Sequence, residues 1–100
     1  MQIDTLVQET CKQITTLFSP EFIYLFNAKR GINGTVTSFK LCIVLDFEDK
    51  EEYEKKIYLE SNCPVPFDVI LYTPEQWKKC LQDSMSFANT IVKTGVKIYG

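Results

Sequence analysis

Between residues 38 and 47 the chain alternates with a period of two. Phe39, Leu41, Ile43, Leu45 and Phe47 are all apolar, while Ser38, Lys40, Cys42, Val44 and Asp46 between them are mixed. Successive side chains of a strand point to opposite faces, so this segment is a strand with one wholly apolar side. A slip of one residue would exchange the faces, which ties the odd-numbered positions to the core. A sheet is therefore required, and the remaining apolar runs must supply its other strands. Residues 21–26 are short and nearly all apolar, as in a strand covered on both faces. Residues 67–72 and 96–99 supply two more strands.

Helical spacing fills the gaps. Ile3, Leu6, Val7, Cys11, Ile14, Leu17 and Phe18 recur at three- and four-residue steps and form one stripe, which Ser19-Pro20 ends. Asp49 opens a charged segment in which Glu51 faces Lys55 and Glu52 faces Lys56, four residues apart on a solvated helix. Thr73-Pro74-Glu75-Gln76 is a helix start with a hydroxyl cap, an early proline and a glutamine three residues after the cap. Trp77, Cys80 and Leu81 are the buried stripe of that helix. Ser84 or Ser86 caps a last helix with Phe87, Ile91 and Val92, and Gly95 ends it. Residues 27–37 read as an irregular loop, with Gly31-Ile32-Asn33-Gly34 as its turn signal. The predicted order is αββαβααβ: an α/β (α+β) mixed sheet with helices mainly on one face.

With 100 residues, the chain has length for one core, so residues 1–100 are expected to form a single domain. A formal charge of −2 provides no attraction to nucleic acid or an anionic membrane. No apolar run reaches the ~20 residues that span a bilayer, and the expected location is cytoplasmic. There is no histidine, which excludes Ser-His-Asp and Cys-His catalysis and mixed Cys/His zinc sites. Cys11, Cys42, Cys63 and Cys80 are too scattered for a zinc site and are read as reduced thiols. No phosphate loop of the G-x-x-x-x-G-K-S/T type is present.

The strand at 21–26, the loop after it, the alternating strand, the later strand Phe67-Asp68-Val69-Ile70-Leu71-Tyr72 and the ending from Ser86 to Gly100 together resemble the minimal nucleotidyltransferases of the DNA polymerase beta superfamily. The similarity covers essentially the whole chain and rests on segments that mark the fold rather than catalysis. In that family a Gly-Ser loop after the first strand holds nucleotide phosphates. An Asp-x-Asp pair on the second strand and a third Asp on the next hold two magnesium ions, which activate and stabilise the reacting oxygens. Here the Gly-Ser pair reads Asn27-Ala28, with the basic pair Lys29 and Arg30 following.

Two registers of the second strand are open. One puts Phe39 and Leu41 at the acid positions, the other Ser38 and Lys40, and the second is preferred because it keeps the apolar face in the core. Neither supplies a carboxylate. Asp68 matches the third acid and is expected on the face of Lys40, within salt-bridge distance of it. Asp46 and Glu48 also share a face, but lie beyond the apolar section and read as a solvated strand end.

The resemblance therefore implies a relative that has lost catalysis, with Ser38, Lys40 and Asp68 as a vestigial site. No cofactor is expected, and the role would lie in protein contacts, as a homodimer or with a helical HEPN-type partner of the toxin–antitoxin kind. Two alternatives stand beside it. One is an active or residual nucleotidyltransferase that transfers a nucleoside monophosphate with Mg²⁺ at Asp68 and unconventional ligands such as Asp46 or Glu48. The other is a non-catalytic nucleotide sensor that binds through Asn27, Ala28, Lys29, Arg30 and Lys40.

Overall fold

A computed structural model describes residues 4–100. The order is α1 (Thr5–Phe18), β1 (Phe22–Arg30), β2 (Val36–Val44), α2 (Lys50–Glu60), β3 (Phe67–Tyr72), α3 (Pro74–Leu81), α4 (Phe87–Thr94) and β4 (Val96–Tyr99), which is the αββαβααβ pattern. The strands form one mixed sheet in the order β3-β2-β1-β4. β1 runs antiparallel to both β2 and β4, and β2 runs parallel to β3.

The helices differ from the expected arrangement in one respect: they cover both faces of the sheet. On one face Val7, Cys11 and Ile14 of α1 and Ile57 of α2 pack with Ile23, Leu25, Phe39, Leu41, Ile43, Val69 and Leu71. The odd-numbered Phe39, Leu41 and Ile43 of β2 are buried on this face as the alternation requires, while Thr37 near the hairpin tip is exposed. On the other face Trp77 of α3 and Ala88 and Ile91 of α4 pack on Phe26, Cys42 and Val44. The cause lies in the even-numbered positions of β2, which change character along the strand. Cys42 and Val44 are fully buried and need a cover, whereas Ser38 and Lys40 keep access to solvent. α3 and α4 thus cover one half of that face and leave the other half open.

Local signals act as the residues dictate. Asp4 caps α1 by accepting from the Leu6 N–H at 3.0 Å, and Asp49 caps α2. Thr73 and Gln76 form a reciprocal capping box at α3, and Ser86, not Ser84, caps α4. Ile3, placed on the α1 stripe from sequence, lies outside the described residues. Leu17, placed on the same stripe, is 53% exposed, because the helix ends one residue later with Ser19 in the left-handed region at φ 48°. Of the two anticipated pairs on α2, Lys56 and Glu52 meet at 3.5 Å. The outer edge of β3 is also engaged: the Val69 N–H donates to the Tyr58 hydroxyl of α2 at 3.0 Å.

Residues 27–37 are more ordered than a loop. β1 continues to Arg30 and β2 begins at Val36, so the connection is the short tip 31–35. The pairing steps from Phe26↔Lys40 to Lys29↔Ser38, so Asn27 and Ala28 oppose Phe39 alone. This is a β-bulge, and Asn27 takes the left-handed conformation at φ 48° that it requires. The bulge absorbs the residues that break the alternation, and this broken alternation reads from sequence as the start of a loop.

Candidate functional site

The open half of the sheet face is where most of the candidate residues meet. Lys40 and Asp68 are direct partners in the parallel β2–β3 register. Partners in register point to the same face, and Ser38 precedes Lys40 by two residues on that face. Across the β1–β2 pairing Ser38 stands opposite Lys29, just beyond the Asn27 bulge. Asn27, Lys29, Ser38, Lys40 and Asp68, with Pro66 and Phe67 at the rim, surround a shallow depression of about 270 Å³. Ser38 and Lys40 lie on the accessible side of β2, and Phe39 and Leu41 lie in the core.

Two of the anticipated contributors stand apart. Arg30 donates from Nη1 to the Gly34 carbonyl at 3.0 Å and lies 3.9 Å from the Asp4 carboxylate, so it ties the hairpin tip towards the start of α1. Ala28 is exposed on the bulge and does not line the depression. Lys40 and Asp68 share a face, but no ion pair within 4.0 Å joins them among the described residues. Two neighbouring, solvated charges gain little by closing such a contact, and the order it would impose on a lysine side chain opposes closure.

The charge in this depression is mixed, with Lys29 and Lys40 against one carboxylate. Among the described residues no three His, Cys, Asp or Glu side chains gather in a way that could hold a metal ion. Asp46 and Glu48 lie elsewhere, beside a separate shallow surface with Phe47, Asp49, Glu52 and Tyr53 at the start of α2. Asp49 is engaged there in capping, accepting from the Glu52 N–H at 3.3 Å.

Behind the depression the covered half of the same face is aromatic. Trp77 packs edge-on against Phe22 and Tyr72, with ring centroids 5.6 and 5.2 Å away, and lies 5.9 Å from Tyr24. Beneath α3 and α4, burial pushes the Cys42 thiol up to about 12, away from the thiolate that nucleophilic chemistry needs. Burial also raises Tyr72, with the neighbouring Cys42 and Cys80 adding to the shift. The rim residues Pro66 and Phe67 carried no sequence signal for a site, since proline before a strand and an aromatic on its core face read only as structure.

No helix among the described residues is long and apolar enough to cross a membrane. Compared with family models, curated proteins and solved structures, the chain finds no match.

Proposed function

We propose that this chain is a non-catalytic domain of nucleotidyltransferase-like layout that acts through contacts with other proteins. The observation that carries the reading is the pairing of Lys40 with Asp68. Nucleotidyl transfer requires hard oxygen ligands that gather two divalent cations about 4 Å apart. An ammonium in the register position beside the one available carboxylate opposes that charge accumulation instead of sharing it. The domain would then serve as a regulatory partner, paired with a helical HEPN-type protein as in toxin–antitoxin systems, or with a second copy of itself, without a cofactor and in the cytoplasm.

A second reading is favoured by the depression itself. Lys29, Lys40, Ser38 and Asn27 present two ammonium groups, a hydroxyl and an amide around one hollow, donors that suit a phosphate. On this reading the domain senses a nucleotide without turning it over.

Incubation of the purified protein with labelled ATP and Mg²⁺ or Mn²⁺, with and without proteins co-purified from its host, is expected to give no label transfer. Metal-dependent transfer that disappears in Asp68→Ala would overturn the proposal and point to the enzyme. Calorimetry with ATP in the absence of metal separates the second reading: binding that Lys40→Ala weakens supports a sensor. Light scattering of the same sample reports whether the chain pairs with itself.

A further inference from the structure

The tip of the β1–β2 hairpin has a chemistry of its own, independent of the depression. Its sequence is Asn33-Gly34-Thr35, and all three residues are exposed. The side-chain carbonyl Oδ1 of Asn33 accepts two hydrogen bonds, from the Thr35 hydroxyl at 2.6 Å and from the Thr35 N–H at 3.2 Å. Gly34 has φ +82°, and no heavy atom lies within 4 Å of where a side chain would begin. No side chain crowds the peptide nitrogen after Asn33, although its N–H is hydrogen-bonded within the turn, and the neighbouring carboxamide is polarised by two donors.

We infer that Asn33 is a site of spontaneous deamidation, with Thr35 as the group that promotes it. The Gly34 backbone nitrogen loses its proton to solvent base and attacks Cγ of Asn33. Negative charge develops on Oδ1, where the Thr35 hydroxyl and N–H already donate, as an oxyanion is stabilised elsewhere. The Cγ–Nδ2 bond then breaks, the nitrogen leaves as ammonia after gaining a proton from solvent, and a cyclic imide joins residues 33 and 34. Water adds to one of the two imide carbonyls and gives aspartate or isoaspartate. Overall, water enters and ammonia leaves, with no oxidant or reductant. The Gly34 N–H is held by the Gly31 carbonyl at 3.0 Å, so the turn must open before the attack, a small opening at an exposed hairpin tip. The two products differ in structure. Aspartate retains acceptors for Thr35, whereas isoaspartate adds a methylene to the backbone and displaces the Gly31 N–H to Thr35 carbonyl bond, now 2.9 Å.

The test is to age the intact folded protein at mildly alkaline pH and map its peptides by mass spectrometry. Asn33 is expected to convert ahead of Asn27, Asn62 and Asn89, faster as pH rises, with one atom of heavy oxygen taken up from labelled water. Gly34→Ala should slow the conversion at least roughly tenfold through steric hindrance at the attacking nitrogen. Because alanine is strained at this positive φ, Thr35→Val provides the second arm. It keeps the backbone and removes only the hydroxyl, and should slow the conversion roughly two- to tenfold, the span that one neutral hydrogen bond supplies. If Asn33 remains an amide, or trails another asparagine, the inference is overturned. If Thr35→Val ages at the rate of the unaltered protein, the promoting role of the hydroxyl is overturned.

Discussion

Cys42 shows how burial alone sets the chemistry of one side chain. It is fully buried under α3 and α4, and desolvation raises its thiol from 9.0 to about 12. Because the fold favours the neutral form, the stability that this group contributes is intact below pH 9.0 and is lost as pH rises from there towards 12. Cys11, Tyr58 and Tyr72 are shifted upward mainly by burial as well and act in the same direction. Urea unfolding followed across alkaline pH should therefore show a falling midpoint, and Cys42→Ala should flatten the fall. In the native state the half-buried Cys63 and Cys80 should take up iodoacetamide well before Cys42 and Cys11, as peptide mapping would show. The buried or half-buried placement of the cysteines was legible in the sequence, since Cys42 falls on a strand and Cys11 and Cys80 on helices. That Cys42 belongs to a second core was not, because its even-numbered position groups it with Ser38 and Lys40. Only the change from polar to apolar along that set of positions hints that the face is divided.

At the scale of elements, the sequence was most readable where a local device carries the structure. The box at Thr73-Pro74-Glu75-Gln76 is formed in both directions, with Thr73 N–H to Gln76 Oε1 and Gln76 N–H to Thr73 Oγ1 each at 3.1 Å. The turn after α4 depends instead on the absence of a side chain. A Cβ at Gly95 would come within 2.7 Å of the Ile91 carbonyl and 2.8 Å of the Leu25 carbonyl, both backbone atoms that cannot yield cheaply. Thr73→Ala is expected to cost about 1 kcal/mol, as loss of a cap does. Gly95→Ala should cost more, about 1–3 kcal/mol, because it forces α4 and β4 away from β1. Chemical denaturation of the two variants side by side measures the difference. The bulge at Asn27 was the element least legible in the sequence. Its cause is a two-against-one match with Phe39 across the sheet, and the broken alternation it leaves in β1 reads equally well as the start of a loop.

For the whole molecule, the mixed sheet and the element order followed from patterns of period two and three to four. The helix layers did not, since a helix stripe records that it is buried but not on which side. Trp77, the one tryptophan, lies in the core on the α3/α4 face, while α1 and α2 build the other. The two cores lie on opposite faces of the same three strands, β1, β2 and β3, so they are expected to melt together. Tryptophan fluorescence, which reports one face, and far-ultraviolet circular dichroism, which reports all the helices, should give coincident unfolding curves in urea. Separate midpoints would mean that one helix layer detaches first.

The uncovered half of the sheet has a consequence for how this chain changes over generations. Ser38, Lys40 and Asp68 project from strands that other residues anchor, so exchanging them leaves the anchoring contacts intact. Natural selection for a sound scaffold is blind to such exchanges. Whatever identity these three positions hold is maintained by something beyond the chain itself, or else it drifts.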